Sequence, residues 1–224
     1  EAHEPVHPTG LHRTYPNWLA NEAARGNEFN NAPTLGLVPE HETILPFTRL
    51  MGGPMDYTPG IFETQMKFYD STKTTMVHTT LAKQLALYVT MYSPIQMAAD
   101  LPENYERYMD AFQFIKDVAV DWDSTIYLAA EPGDYLTIAR KKKNGADWFI
   151  GAITDENARS SSVKLDFLPA GKNYEAIIYQ DGKTADWKTN PKQYIITRQK
   201  VTSKSVLPIT LAPGGGTAIQ LKAL

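Results

Sequence analysis

Apolar and polar positions alternate in two different ways along the chain, and the change falls near residue 120. From Ser124 onward the sequence breaks into eight short runs rich in β-branched and aromatic residues: STIYLAA, DYLTIARKK, DWFIGAIT, SSVKLDFL, YEAIIYQDG, QYIITRQKV, SVLPITL and GTAIQLKAL. Turn signals separate them, among them Pro132-Gly133, Asn144-Gly145, Asp181-Gly182 and Gly214-Gly215-Gly216. Short strands at this spacing predict an antiparallel β-sandwich. Before residue 120 the period is helical. Over 72–91 Val77, Leu81, Leu85 and Tyr88 share one helix face, and Tyr105, Met109, Phe112 and Ile115 repeat the pattern after a stop or kink at Ser93-Pro94. Between residues 30 and 60 the text predicts a loop, a short helix over 40–51 and a buried strand or turn around Met55-Asp56-Tyr57. The prediction is an α+β chain in two parts, 1–119 and 120–224. The first part has helices but few strands for them to cover, which marks it as part of something larger.

Composition narrows the picture. With 42% hydrophobic residues in 224 the chain can bury a core, and a net charge of −3 with mixed signs gives no case for a nucleic acid partner. No run reaches transmembrane length, so no membrane insertion is expected. The absence of cysteine excludes disulfides and thiolate metal sites. The chain starts at Glu1 without a methionine, in residues that already read as the interior of a site, so it is expected to begin inside a longer protein.

Candidate chemistry crowds into the first 42 residues, which hold four of the five histidines and six glutamates. His3-Glu4-Pro5-Val6-His7 matches the zinc-protease pattern H-E-x-x-H. That pattern needs one helical turn to stack both histidines on a metal. Pro5 between them, and Pro8-Thr9-Gly10 after them, break such a turn and predict a strand end entering a loop, with His3 and Glu4 at its tip. Glu4, Glu22 and Glu28 lie among glycine, asparagine and histidine rather than in an amphipathic helix, and only Arg25 is near as a partner. Carboxylates that converge repel unless a cation lies between them. Three readings stay open on the residues: an oxygen-rich, calcium-like site, an acid and base across a scissile bond, or three unrelated surface glutamates, which spacing alone favours. Asp56 is expected either to face a pocket or to cap a loop. His7 and His12 read as loop residues, His41 as a helix-surface residue and His78 as a half-buried residue of the helical run.

The stretch EAHEPVHPTGLHRTYPNWLANEAARGNEFN, continued by LPFTRLMGGPMDYTPG and KQLALYVTMYSPIQMAADLPENY, resembles glycoside hydrolase family 97 over nearly the whole chain. The resemblance implies the closing part of a (β/α)8 barrel over 1–119 and a C-terminal β-sandwich over 120–224. It implies an inverting, Ca2+-dependent hydrolase of α-linked glucose oligosaccharides. In that scheme Glu28 is the general acid, Glu4 the general base, and Glu4, Glu22 and Glu28 contact the metal, while His3 contacts the sugar. The other branch, retaining α-galactosidases, uses an upstream Asp nucleophile and lacks a glutamate at the position of Glu4, so HEPVHPTG favours the inverting branch. The partners implied are an α-linked oligosaccharide and the rest of the same enzyme, its N-terminal β domain and first barrel strands, in the periplasm or outside the cell. Alone, the chain is expected to be inactive. A non-catalytic carbohydrate-binding β module is the alternative from another class.

Overall fold

The computed structural model describes residues 2–3, 7–32 and 36–224. All eight predicted strands are present: β1 (Trp122–Glu131), β2 (Tyr135–Lys142), β3 (Trp148–Thr154), β4 (Arg159–Lys164), β5 (Tyr174–Asp181), β6 (Tyr194–Val201), β7 (Val206–Leu211) and β8 (Gly216–Ala223). Six form one antiparallel sheet in the order β1-β2-β3-β8-β5-β6, and β4 pairs with β7 in a second, two-stranded sheet. The run SSVKLDFL is strand only to Lys164; its Leu165 and Leu168 belong to a turn that closes the core from the side.

The sandwich is therefore lopsided. One face of the large sheet packs Ile150, Ala152, Ala176, Ile178, Ile219 and Leu221 against Val163, Leu207, Ile209 and Leu211 of the small sheet. The opposite face carries Leu136, Ile138, Phe149, Ile153, Ile177 and Tyr179, too apolar to face water. A helix covers it. In α3 (Leu81–Thr90) Thr80 caps the N-terminus by accepting from Lys83 N, and every residue from Leu81 to Thr90 is buried. The approach is close because a Cβ at Gly151 would lie 2.8 Å from Ala86 O and one at Gly216 2.5 Å from Lys83 Cα. Predicted over 72–91, the helix is shorter: the segment before Thr80 is extended or turned, and its backbone bonds to its surroundings, as Val77 N does to Thr64 O. The second helical stretch divides into α4 (Pro102–Glu106) and α5 (Met109–Asp117), and α5 supplies Ala111 and Phe114 to the same core.

Residues 1–119 otherwise form loops and short helical turns. α1 is Leu11–Thr14 and α2 is Glu40–Ile44. The helix expected over 40–51 is α2 followed by two 3-10 turns, because Pro46 interrupts the α pattern. The barrel expected here is not visible: among the described residues no strand precedes Trp122. Three segments meet instead through isolated parallel bridges, Ala2 with Asn21 and Asn21 with Met55. Single-residue bridges lack the neighbouring ladders that make a sheet. One core runs across residue 120, with Met55, Tyr57, Phe62 and Leu85 in the same cluster as Phe149 and Tyr179. Among the described residues no helix is long and apolar enough to cross a membrane.

Candidate functional site

The parallel bridges put His3, Glu22 and Asp56 together. Each follows a bridged residue (Ala2, Asn21, Met55), so in parallel register the three side chains leave the same side of their segments. Backbone bonds hold the register: Ala2 N to Ala20 O (3.1 Å), Glu22 N to Ala2 O (3.1 Å), Asn21 N to Pro54 O (3.2 Å) and Asp56 N to Asn21 O (2.8 Å). His3 Nδ1 lies 3.2 Å from Glu22 Oε2, and its Nε2 lies 3.0 Å from Asp56 Oδ2. An ionised carboxylate only accepts, so a ring nitrogen that carries hydrogen donates to the carboxylate it faces. The His3 ring thus lies between two carboxylates, one of them, Asp56, with a side chain only 4% exposed. Asp56 faces this cluster rather than only capping a loop.

Arg49, in the quoted stretch LPFTR, fastens the segments from behind. Its guanidinium donates to Glu22 O (2.8 Å), Asn21 O (2.8 Å), Gly53 O (3.3 Å) and Pro54 O (3.5 Å). Burial lowers its pKa from the usual arginine range. A single arginine in a loop carries no periodic signal, so its role emerges only from the fold.

Glu28 stands on a neighbouring 3-10 turn, Asn27–Asn31, beside an open recess of about 290 Å³ formed with Phe29, Asn31 and Ala32. Its Oε2 accepts from Thr58 Oγ1 at 2.6 Å. The same Thr58 oxygen accepts from Asn27 N at 2.7 Å, and Asn27 Nδ2 donates to Thr58 O at 2.8 Å. Buried Gln84 of α3 ties this loop down, its Oε1 accepting from Gly60 N (2.8 Å) and Ile61 N (3.1 Å) and meeting Asn27 Nδ2 at 3.4 Å. Next door, Tyr57 donates to Glu42 (3.2 Å), and Glu42 pairs with fully buried Lys83 at 2.9 Å. Burial first, then the charges of Glu42 and Glu28, push the Tyr57 hydroxyl well above its ordinary pKa.

Of the four residues singled out from the sequence, His3 and Glu22 are in contact, Glu28 is held by a separate network, and Glu4 lies outside the described residues, as do Pro5 and Val6. Among the described residues no group of three or more His, Asp and Glu side chains has metal-holding geometry. His3 and His7 lie in no helix, in keeping with the reading of the prolines. His41 meets Arg25 O at 2.9 Å. His78 precedes α3 rather than lying within it; its ring packs against Trp187 at 4.5 Å between centroids, and burial lowers its pKa. A groove of about 530 Å³ lined by Pro8, His12, Trp18, Leu19 and Tyr92 is bordered by none of His3, Glu22, Glu28 and Asp56.

Comparison with known proteins matches this architecture. Residues 121–222 fit the family described as Glycosyl-hydrolase 97 C-terminal, oligomerisation. Over 219 residues, 96% of this chain and 32% of the relative, the sequence is 36% identical to a retaining alpha-galactosidase of Bacteroides thetaiotaomicron. It is 34% identical over 160 residues, 70% of this chain and 22% of the relative, to a probable retaining alpha-galactosidase of Streptomyces bingchenggensis. A glycoside hydrolase family 97 enzyme from a Pseudoalteromonas species, solved in complex with acarbose, superposes with a TM-score of 0.92 at 53% identity, covering 99% of this chain and 34% of that one. The chain spans about a third of the length of the first curated relative it matches. It belongs to glycoside hydrolase family 97, with residues 121–222 forming the family's C-terminal domain.

Proposed function

We propose that the chain carries the last part of the active site of an α-glycoside hydrolase, with Glu28 as general acid and His3, Glu22 and Asp56 lining the sugar pocket. The observation behind this reading is the convergence of His3, Glu22 and Asp56 from three parallel segments. Parallel segments with polar groups just past the bridged residues are what the closing strands of a (β/α)8 barrel look like, and such barrels carry their chemistry at those strand ends. On this view residues 1–119 complete a barrel begun elsewhere in the protein, and 120–224 follow as a sandwich docked through α3.

In the reaction the glycosidic oxygen takes a proton from Glu28 as its bond to the anomeric carbon breaks, the leaving sugar departs as a neutral alcohol, and the anomeric carbon bonds to a water in the inverting scheme or to an upstream Asp, later replaced by water, in the retaining one. Glu4 is the base expected from the sequence. Glu22 and Glu28, with Glu4, are oxygen donors suited to Ca2+. Such an ion would supply positive charge that holds Glu4 and Glu22 ionised and in register, at a distance from Glu28 that still leaves the acid its proton. The remaining expectations, export to the periplasm or medium and inactivity of this chain without the rest of the barrel, belong to the same proposal.

The names of the two curated relatives support retaining hydrolysis of α-galactosides over the inverting α-glucosidase expected from HEPVHPTG. The α-glucoside reading stays second, on one observation: the relative solved at 53% identity was crystallised with acarbose and with panose. The full-length protein decides between them. Aryl α-galactoside turnover with retention in the first-formed anomer, followed by NMR, supports the first; aryl α-glucoside turnover with inversion supports the second. In either case Glu28→Gln should abolish hydrolysis of an unactivated oligosaccharide, and full activity in that variant overturns the proposal. Metal analysis of the full-length protein should find Ca2+ and no zinc.

A further inference from the structure

The contacts around Glu28 go further than naming it. We propose that Thr58 is a positioning residue that fixes the orientation of the Glu28 carboxyl group, with Gly26 making room for the contact. The inference rests on the reading of Glu28 as general acid.

Thr58 Oγ1 has a directed hydrogen bond on each side. It accepts from the backbone N–H of Asn27 at 2.7 Å and reaches Glu28 Oε2 at 2.6 Å. With a lone pair taken by the amide, the hydroxyl hydrogen is directed to Oε2, which acts as acceptor. The bond holds the Glu28 carboxyl group in one orientation beside the open recess. An acid held in its productive orientation lowers the barrier by positioning, and one free to rotate loses that advantage.

Gly26 shows that this contact occupies a made space. A Cβ there would sit 2.3 Å from Glu28 Oε2 and 2.5 Å from Thr58 Oγ1. Its backbone φ of −84° is open to any residue, so the requirement is for room, not conformation. Thr58 is itself held rigidly, since Asn27 grips its carbonyl and Gln84 of α3 holds Gly60 and Ile61 just beyond it. The helix that covers the β-sheet thus reaches the candidate acid through two polar contacts.

The test uses the full-length enzyme and two glycosides of its preferred sugar, one with a poor leaving group (a disaccharide) and one with a good leaving group that needs no protonation (2,4-dinitrophenyl). Thr58→Val should lower kcat on the disaccharide by about tenfold or more while changing the dinitrophenyl rate by less than about threefold. Thr58→Ser, which keeps the hydroxyl, should restore the disaccharide rate. Gly26→Ala should repeat the leaving-group selectivity of Thr58→Val. Equal losses on both substrates, or no rescue by Thr58→Ser, would mean a purely structural threonine and overturn the inference. The Glu28→Gln variant on the same pair judges the underlying reading separately: without a selective loss on the disaccharide, Glu28 is not the acid, and the Thr58 proposal falls with it.

Discussion

The carboxylate-bearing loops and the β-sandwich satisfy their backbones by different means. In residues 122–223 strand ladders do the work, with seven consecutive register pairs between β2 and β3 and eight between β5 and β6. Around Glu22 and Glu28, buried side chains replace ladders. Arg49 holds four carbonyls, Gln84 holds two amides, and Asp100 accepts from Phe62 N and Glu63 N at 2.7 and 2.8 Å. A ladder tolerates the loss of one side chain because its bonds are repeated. A loop held by one arginine does not, because four carbonyls lose their donor at once. Such loops can nevertheless aim polar groups at one point, which a pleated ladder with alternating faces cannot do so freely.

The largest effect should come where the two regions share a core. Lys83 is fully buried against Glu42, Pro39 O and Thr154 O. Lys83→Met leaves the Glu42 charge buried without its cation and should cost about 3–5 kcal/mol, read from urea unfolding of the full-length protein. A change below about 1 kcal/mol would show that the pair is not dry. Next comes Arg49→Ala, expected to lower activity at least about tenfold by loosening the segments that carry His3, Glu22 and Asp56. Its effect on global unfolding should be smaller than that of Lys83→Met; the reverse ranking would make Arg49 a core residue rather than a clamp of the site. Gly151→Ala should push α3 off β3 and cost about 1–3 kcal/mol, with catalytic loss following only as far as Gln84 shifts.

A pH effect on stability should come from the end of β5. Asp181, buried at the end of β5, accepts from Ala212 N and Gly216 N, yet burial outweighs these bonds and raises its pKa from 3.8 to about 6. The folded state therefore binds the proton more tightly than the unfolded state, and stability falls as pH rises from about 4 to about 6. Thermal melts of Asp181→Asn should lose that slope. The smallest expected change is Ile195→Thr on exposed edge strand β6, within about 0.5 kcal/mol.

These regions also differ in how far they can be read from sequence. The strand runs and their turns carry local signals, so all eight strands were legible. The length of α3 was not legible. Its pattern extends apolar positions back to Val77, but the bonds of the preceding segment go to Thr64 and the surrounding loops instead of to a helix. Nor does the pattern reveal that Lys83 and Gln84 lie inside, since long polar residues ordinarily mark a solvated face. Asp56 was legible as a candidate only because of its setting, while Arg49 and Thr58 lie in a stretch that carries the family resemblance but marks no role for either.

By itself, then, the sequence determined strand content, turn positions and the choice of Glu22, Glu28 and His3 as chemically marked, because each depends on neighbours within a few positions. Tertiary structure alone decided that His3 meets Glu22 and Asp56, that Thr58 meets Glu28 and that one helix serves both the sheet and the loops. Those contacts join segments 19 to 53 positions apart, from Glu22 to His3 and from Asp56 to His3. Only a parallel register and a shared core bring such segments within hydrogen-bond distance.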